Sequence, residues 1–294
     1  MPAPLTTPLI SMSQYTELVH NIEPSTHLLK MIVRASDALQ NYCGRRFDER
    51  RDVRPYTALL ESKGGHLFDA YTLMLDDDLK SVNTLAVNVP FGATLASQGT
   101  VITGYKVLGY AGRNSGGRET LRLILDSTGT NVFNQPSGDP HESIWIDGLW
   151  GYDGQWVSSG ATLSGAINDS VVACVVNTSA ALERGMVIKI DSEYLYVEAV
   201  SGTDVTISRG FNGSTATSHA DGASISYWYA MDMVQDLVAR LVQWRGEQLK
   251  SPTAGSVTIG DFTYPVDMSG LPKDVFKAIN DSGLMRKVAR FSAL

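Results

Sequence analysis

The 294-residue chain has little of what usually announces chemistry. It has two cysteines, Cys43 and Cys174, far apart and outside any Cys-x-x-Cys or Cys/His cluster. That spacing excludes a legible zinc site and a disulfide framework, and fits assembly in a reducing cytoplasm. Five histidines include no His-Glu-x-x-His pair. Neither a Gly-x-Ser-x-Gly elbow nor a Gly-x-x-x-x-Gly-Lys phosphate loop occurs. The expectation is therefore a non-enzyme with no cofactor and no metal. Charge is also sparse. Charged residues make up 19% and the net charge is −7. Proteins that grip nucleic acid usually carry a basic excess to displace counterions, so tight phosphate binding is disfavoured. A channel through which DNA merely passes is not. No run of about 18 apolar residues exists, and no membrane span is expected. Pro2, Pro4 and Pro8 with no basic start argue against a signal peptide. Residues 1–10 read instead as an extended arm of the kind that orders on a neighbouring subunit.

Hydrophobic residues, at 43%, suffice for sizeable cores. Three segments have helical period. In the first, from Pro24 to Cys43, Leu28, Ile32, Ala35, Leu39 and Tyr42 form one face, with Gly44 as the stop. The second runs from Ala230 to Lys250 on Val234, Leu237, Leu241 and Trp244. The third starts at Pro272, and a short helix over Ser13–His20 is possible. Between the first two, short runs such as Leu73–Leu75, Thr84–Val89, Leu121–Leu125 and Ser143–Ile146 read as strands, with an exposed loop over Tyr110–Gly117. From 159 to 228 five further short β-branched runs read as a separate β unit, a sandwich or a barrel. The expected organisation is an arm (1–23), a core segment (24–158), an inserted β domain (159–228) and a second core segment (229–294).

Several clusters invite a sharper reading. Arg45, Arg46, Arg50, Arg51 and Arg54 are interleaved with Asp48, Glu49 and Asp52. That mixture favours ion pairing, within a subunit or between neighbours, over a nucleic-acid patch. Trp145, Trp150 and Trp156 lie near Tyr152 and read as core or interface anchors rather than sugar platforms. In Arg209–Gly210–Phe211–Asn212–Gly213 the glycines and Asn212 suit a tight turn. His219 reads as a histidine that hydrogen-bonds that turn rather than a metal ligand. Asp191 and Glu193 give only weak support for calcium. Asp76–Asp77–Asp78 reads as a solvated turn.

Two resemblances follow from particular strings. Ala38–Leu39–Gln40–Asn41–Tyr42–Cys43–Gly44–Arg45–Arg46–Phe47, then Asp78–Leu79–Lys80–Ser81–Val82, then Gly148–Leu149–Trp150–Gly151–Tyr152, resembles the head-tail connector or adaptor proteins of long-tailed bacteriophages. The strings Leu182–Glu183–Arg184–Gly185–Met186, Ser208–Arg209–Gly210–Phe211–Asn212–Gly213–Ser214–Thr215 and His219–Ala220–Asp221–Gly222–Ala223 are similar to a small β module of phage virion proteins. The resemblance implies an α+β fold, with a helical-bundle adaptor core, β elements and the β module inserted. It also implies a homo-oligomeric ring, a dodecamer, at the virion neck. Its partners would be the portal protein and the next neck or tail-completion protein. DNA would pass through unbound. Arg45, Arg46, Arg50, Arg51, Arg54, Trp150 and Tyr152 are interface candidates, and so are Arg286, Lys287 and Arg290, a basic end that reads either as a dock for an acidic portal surface or as a solvated tail. The alternative is a tail-associated or decoration protein that binds a host-surface glycan through its β domain.

Overall fold

The computed structural model describes residues 7–19, 26–90, 92–93, 99–108, 122–133, 139–250, 256–259, 262–265 and 272–285. Among these are four helices: α1 (Met12–Leu18), α2 (Thr26–Cys43), α3 (Asp232–Lys250) and α4 (Lys273–Ser282). Apart from these α-helices and the short 3-10 turns Glu61–Lys63 and Phe211–Gly213, the regular structure is antiparallel sheet, in sheets of four, six and three strands plus one hairpin. The expected helical-bundle core is therefore wrong. Periodicity supports only a few helices, and the bundle came from the resemblance. Period-two runs between α2 and α3 have apolar faces of their own to bury, and these faces build two β cores. The chain divides into two compact units, Glu49–Tyr152 and the described residues of Met1–Asp48 with Asp153–Met285.

The Glu49–Tyr152 unit holds β1 (Arg50–Tyr56), β2 (Thr72–Met74), β3 (Leu79–Val87), β4 (Thr100–Ile102), β5 (Tyr105–Leu108), β6 (Arg122–Leu125) and β7 (Ile144–Trp150). One sheet has the order β1-β7-β3-β4 and the other β2-β6-β5. Alternation decides the faces. In β7, Ile144, Ile146 and Trp150 are buried, while Trp145, Asp147 and Leu149 stay half-exposed. The buried set meets Tyr56, Leu79 and Leu85 of its own sheet and Leu73, Leu123 and Leu125 of the other, with Phe133 in the same core. Gly148 is required by contact. A Cβ there would lie 2.4 Å from the carbonyl oxygen of Ser81, where the β3 register shifts.

In the other unit, β8 (Gln155–Thr162), β9 (Ala173–Val175), β10 (Val187–Ile190), β11 (Glu193–Ser201), β12 (Asp204–Ser208) and β13 (Ser224–Tyr229) form a sheet of order β8-β13-β10-β11-β12-β9. Its two ends meet. Leu163 bridges Val176, flanked by hydrogen bonds from Ser164 N to Val175 O and from Asn177 N to Thr162 O. Joining the end strands closes the sheet into a small barrel. Leu163, Ile188, Ile190, Leu195, Val197, Val205, Ile207 and Ile225 fill it. On the opposite face Trp156, Tyr194 and Trp228 pack together with Val187. Around the barrel, α2 buries Leu28, Ile32, Ala35, Leu39 and Cys43, and α3 buries Val234, Leu237, Val238 and Leu241. Gly44 ends α2 with a positive φ of 61°. The hairpin β14 (Ser256–Ile259) and β15 (Phe262–Pro265) and α4 belong to the same unit.

Thr7–Ile10 departs from the expected free arm. Thr7, Leu9 and Ile10 are buried against their own chain. Leu9 and Ile10 are apolar, and Thr7 finds an acceptor there, so the segment gains more by folding back than by remaining in water.

Candidate functional site

Four ionisable side chains, Asp191, Glu193, Arg209 and His219, meet at one end of the barrel. A hairpin turn between β10 and β11 places Asp191 just before Glu193, with Asp191 in a left-handed conformation (φ 51°). Arg209 follows β12 and His219 precedes β13. Glu193 is completely buried. Its Oε1 accepts from Arg209 Nε at 2.8 Å and from Gly210 N at 3.0 Å. Its Oε2 accepts from Arg209 Nη2 at 2.7 Å and from Thr217 N at 3.0 Å, and lies 3.0 Å from His219 Nε2. The other ring nitrogen of His219, Nδ1, is 2.7 Å from Asp191 Oδ2. Arg209 also donates to the carbonyls of Asn168 (2.7 Å), Val171 (3.1 Å) and Thr217. One guanidinium thus ties four chain segments around one carboxylate. Burial alone would raise the Glu193 pKa. The forked Arg209 pair, the two backbone N–H groups and His219 outweigh it and hold the carboxyl at about 2.

The chemistry open to this cluster is narrow. A general base needs a lone pair facing substrate, and a catalytic histidine needs one ring nitrogen free for it. Each Glu193 oxygen has at least two partners, and both His219 nitrogens face carboxylates. Among the described residues no set of three or more His, Cys, Asp and Glu side chains is placed to hold a metal ion.

A second buried carboxylate lies in the same unit. Asp48 has no exposed surface. Its Oδ2 accepts from Thr7 Oγ1 at 2.8 Å and Asn212 Nδ2 at 3.2 Å, and its Oδ1 lies 3.3 Å from Arg46 Nε. Asn212 is the turn residue of the Asn-Gly pair, at φ 47°. Its side chain leaves the turn to bind outside the barrel.

The remaining expected site residues are dispersed. Arg45 is half-buried at the end of α2, and Arg46 pairs with Asp48. Arg50, Arg51 and Arg54 lie on β1, in the other unit. Arg54 sits 4.2 Å from the Trp150 ring centroid and bonds Asp77 at 2.9 Å and Asp52 at 3.1 Å. Trp150 is fully buried, stacks on Tyr56 and donates Nε1 to Asp52 O at 3.0 Å. Tyr152 is half-buried. Trp156 is half-buried, with one face stacked on Tyr194 at 5.0 Å and Trp228 at its edge. Asp76 pairs with His66 at 3.0 Å, while Asp77 and Asp78 are buried, so this acidic run is not the solvated turn expected. Burial pushes the Cys43 thiol up to about 12, which suits an inert core residue. Arg286, Lys287, Arg290 and the 110–117 loop lie outside the described residues.

Sequence reasoning pairs Asp191 with Glu193 and sets His219 against the Arg209–Gly213 turn, whereas the His219 ring meets the two carboxylates and Arg209 meets Glu193. That reasoning also missed Asp48 as a tie point. The available signal was a glutamate at the head of the apolar run Tyr194–Leu195–Tyr196–Val197, where a buried carboxylate needs a cation or hydrogen-bond donors.

Fold and site together define a β-rich protein of two units, one a closed barrel whose end is sealed by an internally satisfied ionic cluster. No protein-family model matches this chain, and no curated protein matches it.

Proposed function

We propose that the chain is a structural protein of a tailed-phage virion, a subunit of the neck ring that joins head to tail beneath the portal. The observation that carries the passive reading is the closed hydrogen-bond account of Glu193 and His219. The groups best equipped for catalysis are engaged in holding loops together. The connector-like strings around Tyr42–Phe47, Asp78–Val82 and Gly148–Tyr152, and the virion-module strings around Arg209 and His219, supply the setting. In this role the subunit contacts copies of itself head-to-tail, since only heterologous contacts close a ring. It also contacts the portal above and the next neck protein below. A net charge of −7 suits a channel wall along which DNA slides without sticking.

Electron microscopy of the purified protein, alone and mixed with its portal, tests this reading, together with antibody labelling of intact particles. Annular assemblies and label at the head–tail junction are expected. A protein that stays monomeric in both preparations and is absent from purified virions overturns it.

A further inference from the structure

Within the barrel-bearing unit, the Thr7–Ile10 segment runs as a strap between α2 and the barrel. On the helix side, Leu9 N donates to Ser36 Oγ at 3.1 Å. On the barrel side, Asn212 Nδ2 donates to Thr7 Oγ1 at 3.1 Å, and Pro8–Ser11 line a small cavity with Gly185, Met186, Val187 and Trp228. Just beyond, Ser13 N donates to the Glu183 carboxylate at 3.1 Å. At the strap's end is Asp48, which receives Thr7 and Asn212 on one oxygen. Thus a carboxylate from the segment after α2, a hydroxyl from the strap and an amide from the barrel turn meet at one point.

That meeting point has a physical consequence. A fully buried carboxylate is tolerated only while its donors are in place. Losing Thr7 and Asn212 takes two donors from this buried carboxylate, a loss that costs free energy. Two further polar joints link the barrel to the helix side. Trp228 Nε1 to Phe47 O is 3.2 Å, and Arg184 Nη1 to Thr26 Oγ1, also 3.2 Å, is exposed. We propose that the Thr7–Asp48–Asn212 contact is a latch. Closed, it holds the barrel and α2 as one rigid body. Opened, it admits water to the seam at Asp48 and lets the barrel turn against the helices. The Asn-Gly turn then has two tasks, its backbone shaping the loop and its side chain fastening the barrel. This inference is independent of the virion assignment.

Distance measurements between two spin labels test it. One label replaces exposed Arg34 on α2 and the other exposed Asp204 on the barrel. Cys43 and Cys174 are buried and do not compete for label. Thr7→Val removes the hydroxyl at similar volume. Asn212→Gly removes the amide and keeps the positive φ. The wild type should give one narrow distance distribution. Each single variant should widen it, and the double variant should broaden it about twofold or more, with an unchanged far-ultraviolet spectrum and faster proteolysis before residue 19. A distribution equally narrow in wild type and double variant overturns the latch. If the double variant loses its β spectrum, Thr7→Val alone decides, and an unchanged width there is equally fatal.

Discussion

At the residue scale, the contrast between the two buried anions and the tryptophans is instructive. Glu193 is an acid whose folded pKa, about 2, lies below its ordinary value of 4.5. Its contribution to stability is complete above the ordinary value and disappears as pH falls from there through about 2. The shift corresponds to up to about 3 kcal/mol. Urea unfolding between pH 7 and pH 2.5 should therefore show the barrel-bearing unit weakening in acid. Glu193→Gln should be weaker at pH 7 by about 3–5 kcal/mol, since it strands Arg209 in a buried site, and should lose most of that pH dependence. An equally steep acid response in the variant would show that other carboxylates control it. Trp150 makes the opposite point. Its sequence neighbourhood leaves core and interface both open, and the ring is buried in the core of its unit with Arg54 over its face, which does not suit an interface residue. Trp150→Ala should cost about 3–5 kcal/mol in folding, measured by denaturant titration. A nearly neutral effect would mean that the ring is not packed as described.

Elements were legible where local pattern and final environment agree. The stripe of Leu28, Ile32, Ala35 and Leu39 produced α2 within two residues of its expected start, because a helix buries one face whatever covers it. Val187–Ile190 and Asp204–Ser208 were equally readable, with alternation and turn residues at both ends. β1 was not, because Arg50–Arg51–Asp52–Val53–Arg54–Pro55–Tyr56 offers one buried apolar side chain in seven. It pairs through its backbone with β7 as an edge strand, and its charged residues suit that position. The expected boundary between residues 158 and 159 falls inside β8, the strand beside β13 that brings the barrel round to closure. Tertiary contact decides such strands. Glycines give a test at this scale. Gly148→Ala places a methyl group on the Ser81 carbonyl and should disrupt the β3–β7 pairing, lowering stability by roughly 3 kcal/mol or more. Gly160→Ala, in open space at φ 72°, should cost only about 1 kcal/mol from backbone strain. Equal losses in the two variants would contradict the close β3–β7 approach.

At the scale of the whole molecule, the helical stripes were visible but their number misled. The expectation of a bundle attached weight to α2 and α3, whereas two cores are built from strands and the segments joining them. Tyr56, Leu73, Leu123, Ile146 and Trp150 belong to one, and Ile188, Leu195, Val205 and Ile225 to the other. Core membership depends on which strands pair, and pairing between positions as distant as Arg50 and Trp150 leaves no mark in a local window. The candidate cluster was hidden for the same reason, since Glu193 and His219 are 26 residues apart in sequence. Separate cores make the two units separately addressable. In scanning calorimetry at pH 7, Trp150→Ala should shift the part of the endotherm that belongs to the Glu49–Tyr152 unit, and Glu193→Gln the part that belongs to the barrel-bearing unit. Lowering the pH toward 3 should move the component sensitive to Glu193→Gln, because the stability its ionised carboxylate contributes fades as pH falls from 4.5 through about 2. If both substitutions displaced one indivisible transition by comparable amounts, the two cores would be a single cooperative structure, and the residues that fill them could not be treated as independent reporters.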